Sequence, residues 1–169
     1  MRKPKKLTAL LLALTLLFAC AACASGNSTT DSGKTISGTL PEIIDRLYDT
    51  VDVDDEQRDF LKNSVGTVEI PKDQSAYYFG VENLDFEEAV ASEPFINAIA
   101  FSVCLMRVKD GTDIDELKAE IRRSANPAKW ICVDVNPNDV RVESVGDLVL
   151  LIMADDSEKY SEAFYALAE

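Results

Sequence analysis

The stretch INAIAFSVCLMRV, from Ile96 to Val108, constrains the fold more than any other part of the chain. It is apolar on both faces and β-branched in part, the pattern of a central strand covered on both sides. A second run, LVLLIMA, follows Val140, Val142 and Val145 across Gly146–Asp147. That order predicts a hairpin: an alternating strand, a tight turn and a nearly all-apolar strand. Strands of this kind need a layer above and a layer below.

Helical segments supply those layers. Pro41 falls in a first turn, and Ile43, Ile44, Leu47, Tyr48 and Val51 follow at helical spacing. Asp54 with Gln57 has capping-box form and predicts a second helix through Phe60 and Leu61. Asp113 with Glu116 repeats that form ahead of Ile114, Leu117 and Ile121. Asn126–Pro127 interrupts this helix, because proline disfavours helical geometry in the residue before it. Pro127 then opens a short helix carrying Trp130 and Ile131. Ser157 starts a last helix with Tyr160, Phe164 and Leu167 on one face. TVEI (Thr67–Ile70) reads as a short strand, and Asp85 to Ser92 fits either helix or strand. Asp73 to Phe79 reads as a helical turn or two closed by Gly80. Its Tyr77–Tyr78–Phe79 cluster reads as a core plug in preference to a ligand platform. The expected class is α+β: N-terminal helices, then a β-α-β-β-α unit with helices packed on an antiparallel sheet.

The N-terminus carries a different signal. Arg2, Lys3, Lys5 and Lys6 precede an apolar run from Leu7 that ends in small residues at Ser25 and Gly26. This is the form of a secretory signal peptide, and about 16 apolar residues fall short of the roughly 20 that span a bilayer as a helix. Cysteine at the exit points to lipid attachment at the thiol after cleavage. Cys20, with Leu17 at −3 and Ala19 at −1, fits a lipobox better than Cys23, which remains the alternative. The expected organisation is a signal peptide over 1–19, a lipidated cysteine and linker over 20–38, and one extracytoplasmic domain over 39–169. In Ala24–Gly38, 11 of 15 residues are Ser, Thr, Gly or Asn. Such a coil reaches on the order of 20 Å. The CxxC spacing of Cys20 and Cys23 is not a redox motif here, since it lies in the export signal and not at a strand-to-helix turn.

Without the four basic residues of the leader, 13 of the 17 Lys and Arg remain against 30 Asp and Glu, a net charge of −17. A domain this acidic is repelled by nucleic acid and by anionic headgroups, so basic-patch binding is excluded. The chain has no histidine. That removes Ser-His-Asp and Cys-His triads, histidine acid–base catalysis and most zinc and copper sites. No GxSxG, P-loop or GxGxxG occurs. Cys104 and Cys132 lie in apolar surroundings and read as small buried hydrophobes, with a disulfide between them as the alternative.

Two acidic groups have the chemistry of a calcium site. Asp52, Asp54, Asp55, Glu56 and Asp59 offer oxygens, but carboxylates also suit a helix N-terminus. Asp134, Asn136, Asn138 and Asp139 imitate the start of a calcium loop. Asp139 stands where that loop needs glycine and Val145 where it needs glutamate, so Asx-turn chemistry is the expected reading. Arg122, Arg123 and Lys129 around Trp130 have the charge to grip an anion, and are expected to decorate an exposed helix face. No residue is read as catalytic, cofactor-binding or metal-ligating.

The blocks ASEPFINAIAFSVCLMRVKDG, ANPAKWICV and VGDLVLLIM, in this order after a lipoprotein leader, carry a family resemblance. The chain resembles the bacterial lipoprotein family catalogued as domain of unknown function 4358, common in clostridia-like Gram-positive bacteria. The likeness runs roughly from Leu40 to Glu169, with its diagnostic blocks after Ala91. It implies location and fold, and an accessory role beside membrane O-acyltransferases acting on envelope polysaccharide. It brings no catalytic residues. The expected function is that of a lipid-anchored, non-catalytic binding or accessory module outside the cytoplasmic membrane, with an envelope protein or polysaccharide as partner. The alternatives are a histidine-free carboxylate enzyme acting on glycan or O-acyl groups, and a carrier of lipid or another small ligand.

Overall fold

A computed structural model describes residues 33–169. The expected signal peptide, both candidate lipidation sites, Cys20 and Cys23, and the expected linker up to residue 32 lie outside the described residues. Helix α1 (Leu40–Thr50) starts at Thr39, whose backbone N–H and hydroxyl both donate to the Glu42 carboxylate at 2.9 Å. Helix α2 (Asp55–Asn63) is capped by Asp54, which accepts from the Gln57 N–H at 2.8 Å. The chain continues through strand β1 (Val65–Glu69), a 3₁₀ turn (Lys72–Gln74) and the short helix α3 (Ser75–Phe79). Strands β2 (Phe86–Pro94) and β3 (Ser102–Val108) follow. Helix α4 (Ile114–Ser124) is capped by Asp113, and the hairpin of β4 (Val140–Val145) and β5 (Leu148–Met153) leads to α5 (Ser157–Ala166).

The five strands form one antiparallel sheet in the order β1-β2-β3-β5-β4. Because β5 is antiparallel to both neighbours, β3 and β4 run parallel with β5 between them, and α4 makes the crossover. Alternate side chains of the central strands feed two cores. Val103, Leu105, Leu148, Leu150 and Ile152 pack under α1, α2 and α5. Cys104, Met106, Val149, Leu151 and Met153 pack against α3, α4 and Trp130. All six residues of β5 are buried, as the LVLLIM run demands. The fold is α+β, with helices on both faces of the sheet.

Several expectations change. The apolar run from Ile96 is not one strand, since β3 begins only at Ser102. Beyond that point the ladder has no partners: β5 ends at Met153 opposite Ser102, and β1 begins at Val65 opposite Pro94. Residues 95–101 therefore form the loop that turns β2 back into β3. Of Asp85–Ser92, the residues from Phe86 onward resolve to strand, because they pair with β3 and, from Val90, with β1 as well. No helix follows Pro127; the segment is a series of turns in which Ala128 N–H donates to the Asn126 side chain at 3.0 Å. Packed structure also begins before Thr39. Ile36 is buried in the first core, and Thr35 and Glu169 exchange backbone hydrogen bonds at 3.2 and 3.1 Å.

Candidate functional site

Chain entry lies at one end of the sheet. Arg107, at the end of β3, donates to the Gly38 carbonyl at 3.1 Å and to Asp147 in the hairpin turn at 2.7 Å. At the other end, which we call apical, the loop of residues 95–101 meets the turns that follow α4, where Ile131 N–H donates to the Asn97 carbonyl at 3.0 Å. Seven residues of β3 separate the two ends, about 20 Å at the usual strand rise.

The apical end exposes apolar surface. Phe95, Ile96 and Ile131 are 73%, 64% and 63% exposed, and Ile99 is 38% exposed. Loops this apolar normally bury such side chains or use them, and exposed patches rimmed by polar groups mark interaction sites. The loop is held in place. Phe95 N–H donates to the Ser64 carbonyl at 3.1 Å, and Phe101 N–H to the Ile99 carbonyl at 3.1 Å.

Ile99 also borders a cavity of about 300 Å³ between the loop and the N-terminal turns of α2 and α5. Phe60, Phe101 and Tyr160 give it aromatic walls, with Phe60 edge-on to Phe101 at 5.4 Å between ring centres. Asp54, Asp155 and Asp156 line it, with Lys159 as the only basic lining residue. Lys159 is already bound to Asp156 at 2.8 Å, and that carboxylate raises its ammonium pKa. The Gln57 side chain donates to the Tyr160 hydroxyl at 3.1 Å and does not reach back to Asp54, so only half of the expected capping box forms. The wall chemistry suits an apolar or aromatic-stacking group that carries positive charge.

A buried polar knot supports the apical end from the opposite face of the sheet. Lys129 was expected on an exposed helix face; its side chain is instead 3% exposed and ion-paired with Glu93 on β2. Its Nζ donates to Ser102 Oγ at 3.2 Å, and Ser102 donates to Glu93 at 2.7 Å. The rings of Tyr77, Tyr78 and Trp130 surround the ammonium at 4.9, 5.3 and 5.4 Å. Of the tyrosine cluster only Phe79 is the fully buried plug; Tyr77 and Tyr78 serve the lysine. Ion-paired with Glu93 and ringed by three aromatic side chains, Lys129 ties β2 and β3 to the turns after α4, and the knot works as a brace. Of the two arginines grouped with Lys129, both exposed as expected, Arg122 reaches the Val140 carbonyl at 3.0 Å.

The cysteines separate. Cys104 is buried, and desolvation pushes its thiol pKa up to about 11; Cys132 is exposed, at a positive φ of 61°, against expectation. Both are free, so no disulfide joins them. A maleimide should modify Cys132 in the native protein and Cys104 only after denaturation, read by peptide mass spectrometry. Equal labelling of both in the native state would contradict the packing of β3. In the second acidic group, Asn136 accepts from Asn138 N–H at 2.9 Å, the expected Asx turn. Among the described residues, no group of three or more Cys, Asp or Glu side chains is arranged to hold a metal ion, and no helix is long and apolar enough to cross a membrane.

Glu93, Ser102 and most of the cavity residues were not singled out in the sequence. The Asp155–Asp156 pair directly after an all-apolar strand was the available signal. No family model matches the chain, and neither the curated proteins nor the solved structures contain a match.

Proposed function

We propose that the chain is a lipid-anchored extracytoplasmic binding module, held by an acylated Cys20 and presenting its apical end away from the membrane. The observation that carries this reading is the polarity of the domain. The chain enters beside Gly38, Arg107 and Asp147, while the exposed apolar loop and the cavity lie at the far end of the sheet. A tether at the entry end leaves the apical end free to meet a partner. The leader, and the resemblance to a lipoprotein family, support the same arrangement. The acidic surface suits a domain that stands off anionic headgroups.

Anchoring has a direct test. Two acyl chains at about 0.8 kcal/mol per buried CH₂ should hold the protein on membranes through salt and carbonate washes. Cys20→Ala should leave it unprocessed or release it to the soluble fraction. If Cys20→Ala still carries lipid, Cys23 is the acylated residue. If neither cysteine is acylated in the cells that make the protein, the anchored reading fails.

A further inference from the structure

We propose that the apical end is a docking surface for a cationic, apolar polypeptide segment of a partner protein. This rests on the binding-module reading above and adds the chemistry of what is bound. Two features meet at Ile99: the exposed loop with Phe95 and Ile96, and the cavity with its carboxylates and aromatic walls. Neither feature alone defines an occupant. Together they match a segment in which an arginine or lysine stands among apolar residues.

The cation would enter the cavity. Three carboxylates line it against one ammonium, and Asp155 has no hydrogen-bond or ion-pair partner among the described residues. Phe60, Phe101 and Tyr160 offer the aromatic faces and edges that surround a cation entering from solvent. A volume of about 300 Å³ admits one long basic side chain. Flanking apolar residues of the same segment would cover Ile96 and Ile99, which otherwise remain in water. Backbone hydrogen bonds from Phe95, Phe101 and Ile131 hold these loops before anything binds, so little ordering is required on association.

Charge selects among occupants. The chain carries 30 acidic residues, which steer a cationic segment inward and repel a second copy of itself, an anionic lipid surface and nucleic acid. A neutral glycan would use the aromatic walls, but would leave the carboxylate excess uncompensated.

The test uses the full chain in phosphatidylcholine nanodiscs and a fluorescein-labelled hexapeptide, LRFKIR, followed by fluorescence anisotropy. Saturable binding is expected, at least about tenfold weaker for the analogues LEFEIE and ARAKAR. The double variant Ile99→Ser/Asp155→Asn should lose about tenfold as well, whereas Asp115→Asn, which removes the same charge near the entry end, should stay within about twofold. Both altered apical residues are partly or fully exposed, and unchanged urea midpoints confirm that the variants fold. Absence of saturable binding would overturn the proposal. So would equal loss in Asp115→Asn, which marks a bulk charge effect, or equal binding of LEFEIE. Acylation of Cys20 is scored separately by membrane fractionation. Failed peptide binding with anchoring intact therefore rejects the partner chemistry and leaves the anchored module standing.

Discussion

Replacing Gly80 by alanine should cost the domain about 3–5 kcal/mol, a large part of the stability of a domain this size. Gly80 closes α3 at φ +77°, where an L side chain is strained by roughly 1–2 kcal/mol. Its added Cβ would also lie 2.0 Å from the Ser124 carbonyl oxygen and 2.6 Å from the Ala125 nitrogen. These are backbone atoms at the end of α4, so no rotamer change relieves the overlap. The helices must separate, and the core around Phe79 and Ile121 must open with them. Gly111→Ala provides the control. It has a similar φ of +83° but open space around the new Cβ, so it should cost only the conformational part, about 1–2 kcal/mol. Urea unfolding at constant m-value compares the two. Equal losses would show that α3 and α4 do not meet as described.

Lys129→Met should be the second severe change, at about 3–5 kcal/mol. The substitution keeps the volume but strands the Glu93 carboxylate, which lines up with Ser102 and little else. Burying an unpaired charge is far more costly than never burying the pair. Lys129→Met combined with Glu93→Met should therefore recover much of the loss, and the coupling between the two sites should exceed 1 kcal/mol or so in a double-mutant cycle. Additive losses would mean that Lys129 and Glu93 do not sense each other. The pair also joins β2 to the turns that carry Ile131. Lys129→Met should consequently loosen the apical loops even in the molecules that remain folded, seen as faster hydrogen exchange at residues 126–135.

Local chemistry was legible in the sequence wherever neighbours in the chain are neighbours in space. Asp54 and Asp113 cap their helices, Gly80 ends α3, and Gly146–Asp147 turns the last hairpin. The nearly all-apolar Leu148–Met153 run announced the second strand of that hairpin, and the sheet bears it out; cover on both faces, expected for the run from Ile96, holds for its part from Ser102. The apical loop was not legible, because Ile96–Ala100 shares the composition of the strand it precedes. Only the ends of β1 and β5, set by register, stop the ladder at Ser102. Lys129 was misread for a related reason. Its neighbours Arg122 and Arg123 are those of an exposed helix, while its partner Glu93 lies 36 positions away on another strand. Cys132 looked apolar beside Trp130 and Ile131, but a positive φ turns it outward from a loop. The cavity draws its walls from residues 53–60, 99–101 and 154–160, three segments that only the folded sheet brings together.

In the proposed arrangement the domain works with its apical end while held by the other. A photo-crosslinking residue placed at Ile99, and separately at Asp110 on the turn that follows β3, tests this in living cells with the native N-terminus intact. Protein adducts are expected from Ile99, with the crosslink mapping to a segment rich in Lys or Arg and apolar residues, and no discrete protein adduct from Asp110. Lipid adducts from Ile99, or a discrete protein partner from Asp110 alone, would contradict it.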